Sequence, residues 1–151
     1  MTVNMHRVLI IGIGNTLRRD DGVGIVAAQK LEKSLGDQVR VIACQQLTPE
    51  LAKDLSEAHR VIIIDAEQGN MPGRITVKEI EPGDHALNSF SHELDPATLL
   101  RCSRELYGKC PNAFLITVTG STFDFGESLS QSVTDAIPEV LRHVRALASN
   151  Q

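Results

Sequence analysis

The sequence predicts an α/β protein: a three-layer α/β/α sandwich around a five-stranded, mostly parallel sheet. Three observations carry this expectation. Short β-branched runs alternate with segments of helical spacing, the pattern of strands joined by helical crossovers. The runs Val8–Ile13 and Val61–Ile64 are continuously apolar, as strands buried on both faces are. The chain has 151 residues, 42% of them apolar, which is enough for one core without disulfides or a structural metal.

The elements follow in order. Val8 to Ile13 reads as the first strand, ending in the loop signal Gly12-Ile13-Gly14-Asn15. From about Asp21 to Leu35, Val23, Val26, Ala27, Lys30 and Leu31 have helical spacing, with Gly36 as a stop. Val39 to Cys44 is a second strand. Thr48-Pro49-Glu50 opens a helix, with Thr48 as N-cap and Pro49 at the first helical position. Val61 to Ile64 is the third strand, and Asp65 is expected to end it. Arg74 to Ile80 alternates and suits an edge strand. After the polar segment Glu81–Leu94, Asp95-Pro96 starts a helix that runs to Tyr107, with Gly108 behind it. Ala113 to Val118 is the fifth strand. Ser128 with Gln131 has the spacing of a capping box for a last helix, in which Pro138 predicts a kink. No linker, repeat or low-complexity stretch divides residues 1–151, which are expected to form a single domain.

Composition excludes several functions. Net charge is −4, there is no Lys/Arg run, and the five aromatics offer little for base stacking, so no nucleic-acid partner is expected. No apolar run approaches the ~20 residues of a membrane helix, and the N-terminal residues lack a leader pattern. Cys44, Cys102 and Cys110 make an odd count without CxxC spacing, which suggests free thiols in a reducing compartment. The expectation is a cytoplasmic monomer that does not bind membranes.

Ligands of such sheets sit beyond the carboxyl ends of the strands. There the sequence places Gly12, Gly14, Asn15, Asp20 and Asp21, then Asp65, then His92 in the long segment before the third main helix. A dinucleotide fingerprint is disfavoured, because Leu17 occupies the third glycine position and no acidic residue ends the second strand. Gly12 and Gly14 are read as permitting a tight strand-to-helix turn that Asn15 supports. Of the adjacent carboxylates, Asp20 is assigned to capping the following helix, which leaves Asp21 spare. Asp21, Asp65 and His92 would supply two oxygens and one imidazole nitrogen with open positions, the pattern of a catalytic metal site. His85 is the main competitor of His92. The segment Phe123-Asp124-Phe125 is either packed against the last helix or a contact patch.

Gly12-Ile13-Gly14-Asn15-Thr16-Leu17 followed by Asp20-Asp21-Gly22-Val23-Gly24 resembles the N-terminal signature of the hydrogenase maturation endopeptidases. The likeness continues at Ile62-Ile63-Ile64-Asp65-Ala66, Ser91-His92-Glu93-Leu94, Val118-Thr119-Gly120 and Gly126-Glu127-Ser128-Leu129-Ser130. The resemblance implies a phosphorylase/hydrolase-like fold whose sheet is mixed, with the Arg74–Ile80 strand antiparallel. It implies an endopeptidase that removes the C-terminal extension of the nickel–iron hydrogenase large-subunit precursor. Asp21, Asp65 and His92 then fall on the metal-contacting positions, with nickel supplied by the precursor. Cys44-Gln45-Gln46-Leu47-Thr48-Pro49-Glu50-Leu51 departs from the Asp-Gly-Gly-Thr-like segment of many members and resembles the subgroup serving bidirectional NAD-linked hydrogenases. In this reading Gln45, Gln46, Leu47 and Thr48 help to recognise substrate. Two alternatives stay open: a non-catalytic assembly factor for a metalloenzyme precursor, and a conventional hydrolase holding its own divalent ion.

Overall fold

The computed structural model describes residues 6–83 and 94–149. Strand β1 (His6–Ile13) leads through a 3-10 turn (Arg19–Gly22) into helix α1 (Val23–Ser34). Strand β2 (Val39–Cys44), helix α2 (Leu51–Ser56), strand β3 (Ala58–Glu67) and strand β4 (Ile75–Ile80) follow. Helix α3 (Pro96–Tyr107), strand β5 (Asn112–Thr119) and helix α4 (Gln131–Ser149) complete the order. The sheet runs β2-β1-β3-β5-β4. β1 pairs in parallel with β2 and β3, β3 pairs in parallel with β5, and β4 pairs antiparallel with β5. The mixed five-stranded sheet is therefore present, and the alternating segment forms its edge.

The two-residue period of the strands sorts the core into two layers. Val8, Ile10, Ile62, Ile64 and Ile116 face α1 and α4. Leu9, Ile11, Val61, Ile63 and Ala113 face α2 and α3. Nearly all of these side chains are fully buried, each worth about 1.5–3 kcal/mol of transfer free energy. This two-sided demand explains why β1 and β3 lack polar residues along their buried stretches.

Helix α3 matches its sequence signals. Asp95 caps it by accepting the Thr98 N–H at 2.7 Å, and Gly108 closes it in the left-handed region at φ +70°. Three expectations need correction. Helix α2 begins at Leu51 with Glu50 at the cap position and no side-chain cap, while Thr48 and Pro49 form a tight lead-in turn whose carbonyls accept the Leu51 and Ala52 N–H groups. Helix α4 begins at Gln131, so Ser128 lies three residues ahead of it and instead accepts a hydrogen bond from Arg19. Strand β3 does not end at Asp65 but continues to Glu67, because β5 offers partners as far as Thr119. Helix α4 runs unbroken through Pro138, whose missing N–H leaves the Thr134 carbonyl without its usual helical partner.

Candidate active site

The site is built where β1 stops and its neighbours continue. β1 pairs with β3 up to Gly12 opposite Ile64, so Asp65 extends one residue beyond the paired end of β1. Asp65 thus reaches the sheet mouth because its neighbour ends, although its own strand goes on. By the strand period its side chain shares the α2/α3 face with Val61 and Ile63.

Glycines bring the next segment close. A Cβ on Gly12 would lie 2.2 Å from the Gly24 carbonyl oxygen and 2.7 Å from the Ala28 Cβ. Gly12 therefore lies inside β1 and lets α1 pack against the strand, instead of forming the turn expected of it. Gly14 makes the turn: its φ is +149°, and a Cβ there would sit 1.9 Å from the Asp21 carbonyl oxygen. The chain then folds back on itself. The Asn15 N–H donates to Asp21 Oδ2 at 2.9 Å, and Asn15 Oδ1 accepts the Leu17 N–H at 2.9 Å. Asn15 thus supports the turn as expected of its side chain.

Asp20 and Asp21 diverge. Asp20 is fully buried and caps neither the 3-10 turn nor α1, which corrects its assignment as a helix cap. Its carboxylate accepts four hydrogen bonds from the 120–130 segment: Ser121 N–H at 2.7 Å, Thr122 N–H at 3.1 Å, Ser130 N–H at 2.7 Å and Ser130 Oγ–H at 2.8 Å. Burial alone would raise its pKa. The hydrogen bonds from Ser130, Ser121 and Thr122 outweigh it and hold the carboxyl below its ordinary value of 3.8. Further bonds stitch the same two segments. Leu17 and Gly126 join through Gly126 N–H to Leu17 O, and the Arg19 N–H reaches Gly126 O. Arg18 Nε donates to Phe123 O at 3.1 Å. Arg19, at φ +46°, is the one non-glycine residue in the left-handed region among the described residues.

Asp21 is half-buried and turns the other way. It lines a cleft of about 390 Å³ together with Asp65, Gln45, Gln46, Leu47 and Asp95, among others. The cleft thus brings together five of the sequence-predicted positions beside Asp21: Gly14, Gln45, Gln46, Leu47 and Asp65. Thr48 does not line it; its backbone opens the turn into α2. Asp65 Oδ1 accepts the Ala66 N–H at 2.8 Å. His92 and its competitor His85 lie outside the described residues. Asp95 and Pro96, expected only as a helix start, form one wall of the cleft together with Leu94, the last residue of the polar segment. The available signal was their position directly after the His92 segment. The positive end of the α3 dipole therefore borders three carboxylates.

Cys44 stands at the end of β2 near this cleft. Burial pushes its thiol pKa up, and the charge of Asp65 pushes it further, so it is a neutral thiol at pH 7 and not an activated nucleophile. Among the described residues no group of three or more His, Cys, Asp or Glu side chains is arranged to hold a metal ion. Two carboxylates are hard donors and form a modest site for a borderline ion such as nickel. No helix among the described residues is long and apolar enough to cross a membrane.

The same α/β fold recurs in solved peptidases. The hydrogenase maturating endopeptidase HybD from Escherichia coli is 25% identical, with a TM-score of 0.75 covering 93% of this chain and 91% of that one. The nickel–iron hydrogenase maturation protease HycI from Thermococcus kodakarensis KOD1, at 19% identity, shares the fold with a TM-score of 0.76 over 96% and 94% of the two chains. The chain belongs to the hydrogenase maturation protease family, whose HycI description matches residues 25–146. Asp65 and His92 fall inside that match, and Asp21 lies four residues before it. Among curated relatives, the hydrogenase 2 maturation protease of Escherichia coli K12 is 27% identical over 147 residues, 93% of this chain and 89% of that protein. The hydrogenase expression/formation protein HupD of Bradyrhizobium diazoefficiens is 27% identical over 140 residues, 87% and 72%. The chain is thus a hydrolase of peptide bonds.

Proposed function

We propose that this endopeptidase removes the C-terminal extension of a nickel–iron hydrogenase large-subunit precursor after nickel insertion, and that the ion arrives on the substrate. The observation that carries the reading is the convergence of Asp21 and Asp65 on one cleft, with the Gln45–Leu47 segment as its wall. Asp21, Asp65 and His92 contact the substrate-borne ion and hold the scissile bond beside it. The nickel supplies Lewis acidity, by polarising the scissile carbonyl or by lowering the pKa of a water. Gln45, Gln46 and Leu47 line the path of the extended tail. The side-chain amides are suited to hydrogen bonds with its backbone, and Leu47 adds an apolar contact. This segment is where selectivity among hydrogenases would reside. The high thiol pKa of Cys44 argues against a cysteine mechanism in the same cleft.

Two carboxylates and one imidazole explain why cleavage would wait for nickel. They bind a free ion weakly, and the precursor's own ligands complete the coordination. The reaction then checks that metal insertion has occurred. The protease would work in the cytoplasm as a single-domain monomer.

The test is a processing assay on nickel-loaded and nickel-free precursor with wild-type protein and with Asp21→Asn, Asp65→Asn and His92→Ala. Wild type should cleave only the loaded form, and each variant should lose at least ~100-fold in kcat/KM, about 2.7 kcal/mol. Near-normal cleavage by any variant removes that residue from the site. Equal cleavage of nickel-free precursor removes the checkpoint.

A further inference from the structure

We infer that Leu17 and Phe125 form a docking patch beside the cleft, which seats the folded body of the protein substrate while the cleft takes its tail. This rests on the function proposed above. Phe125 is 88% exposed, although the chain has only five aromatics, and Leu17 is 55% exposed. Phe123-Asp124-Phe125 therefore divides: the Phe123 ring packs against Gly120, and Phe125 points to solvent. The two exposed residues lie on backbone segments that pair with each other. Leu17 O accepts the Gly126 N–H at 2.9 Å, and Arg18 bridges Gly126 in a short parallel pairing. Met71, 58% exposed, lies in the loop after β3 at the same carboxyl edge of the sheet, where Gly73 abuts Ser132 at the start of α4.

The support under the patch is rigid. Four hydrogen bonds to Asp20, together with those of Arg18 and Arg19, fix the 15–22 and 120–130 segments to each other. A docking residue held in place loses little entropy on binding. The loop that carries Leu17 also feeds the cleft, since Gly14 lines the cleft and the Asn15 N–H holds Asp21.

Area decides the occupant. A stable interface between two copies buries roughly 800 Å² on each partner, far more than two or three side chains provide. A substrate already held by its tail needs only an adjunct contact. The exposed Arg18 guanidinium beside the patch favours an apolar partner surface bordered by carboxylates.

The experiment measures kcat and KM separately on folded, nickel-loaded large-subunit precursor for wild type, Phe125→Ser and the Leu17→Ser/Phe125→Ser double variant. Sedimentation of the free protease runs in parallel. The expected result is a KM raised about tenfold or more, with kcat within twofold of wild type. An unchanged KM overturns the inference, as does a fall in kcat at constant KM. A wild-type dimer that Phe125→Ser dissolves also overturns it, by giving the patch to a second copy. If the double variant does not fold, Phe125→Ser decides alone, because a side chain 88% exposed contributes little to the core. Failure of wild type to cleave the precursor overturns the proposed function itself, which is a different outcome from normal cleavage with an indifferent Phe125.

Discussion

Asp20 and Asp21 are adjacent in the chain, yet they serve opposite sides of one loop. On the α1/α4 side, Asp20 is sealed from solvent and accepts four hydrogen bonds from residues more than a hundred positions away. On the α2/α3 side, Asp21 is half-buried, is held by one backbone N–H, and faces a cleft with Asp65. A carboxylate saturated by protein donors is a structural anchor, because its remaining capacity for a ligand is nil. A carboxylate with one anchoring bond is oriented and can still take a cation. The difference teaches that the motif's acidic pair splits into a buried tether and a cleft-facing carboxylate, the latter being the ligand proposed above.

The largest expected effect tests the tether. Asp20→Ala leaves four donors without their acceptor and should cost about 3–5 kcal/mol of stability, measured by urea unfolding. A loss under 1 kcal/mol would show that water replaces the carboxylate, and the comparison would lose its first half. Next comes the ligand side. Asp21→Asn keeps an oxygen for the Asn15 N–H, so stability should stay within about 1 kcal/mol while processing falls at least ~100-fold. If that variant instead unfolds and Asp20→Ala only slows cleavage, the two roles are exchanged.

Acid titration sharpens the contrast further. The folded pKa of Asp20 lies below its unfolded value, so on acidification the unfolded chain takes up this proton first. The contribution of Asp20 is complete above the unfolded value, near pH 4, and is lost as pH falls through the depressed folded value. The stability gap between wild type and Asp20→Asn should therefore shrink as pH is lowered from 5 toward 2. A gap constant over that window contradicts an ionised anchor. The smallest effect belongs to Asp95 on the cleft wall. Asp95→Ala removes the cap on the Thr98 N–H and should cost about 1 kcal/mol in thermal or urea unfolding.

Much of the framework was legible residue by residue. Val61–Ile64 could only be a two-sided buried strand, and Asp95-Pro96 with Gly108 brackets α3 at its observed ends. These are local rules, in which the deciding contacts lie within a few residues. Apart from the local start of α2 at Leu51, the misreadings involve distant partners. Asp20 resembled a helix cap until Ser121, Thr122 and Ser130 were seen around it. Ser128 has the spacing of a capping box, but the Arg19 guanidinium reaches it from the other segment. Asp65 was expected to end β3, and the ladder with β5 carries the strand two residues further. Gly12 was assigned to a turn, and its real constraint is the backbone of Gly24 on the helix above.

The sequence by itself determined the α/β class, the alternation of elements, the candidate carboxylates and the kinship that names their chemistry, because hydrophobic period and short motifs are encoded locally. Only the tertiary structure decided that Asp21, Asp65 and Gln45 line one cleft, that Asp20 belongs to the opposite side, and that Phe125 stands in solvent. Strand order and loop closure set those neighbours. They are chosen by which faces can be buried together, a property of the whole core that no single segment contains.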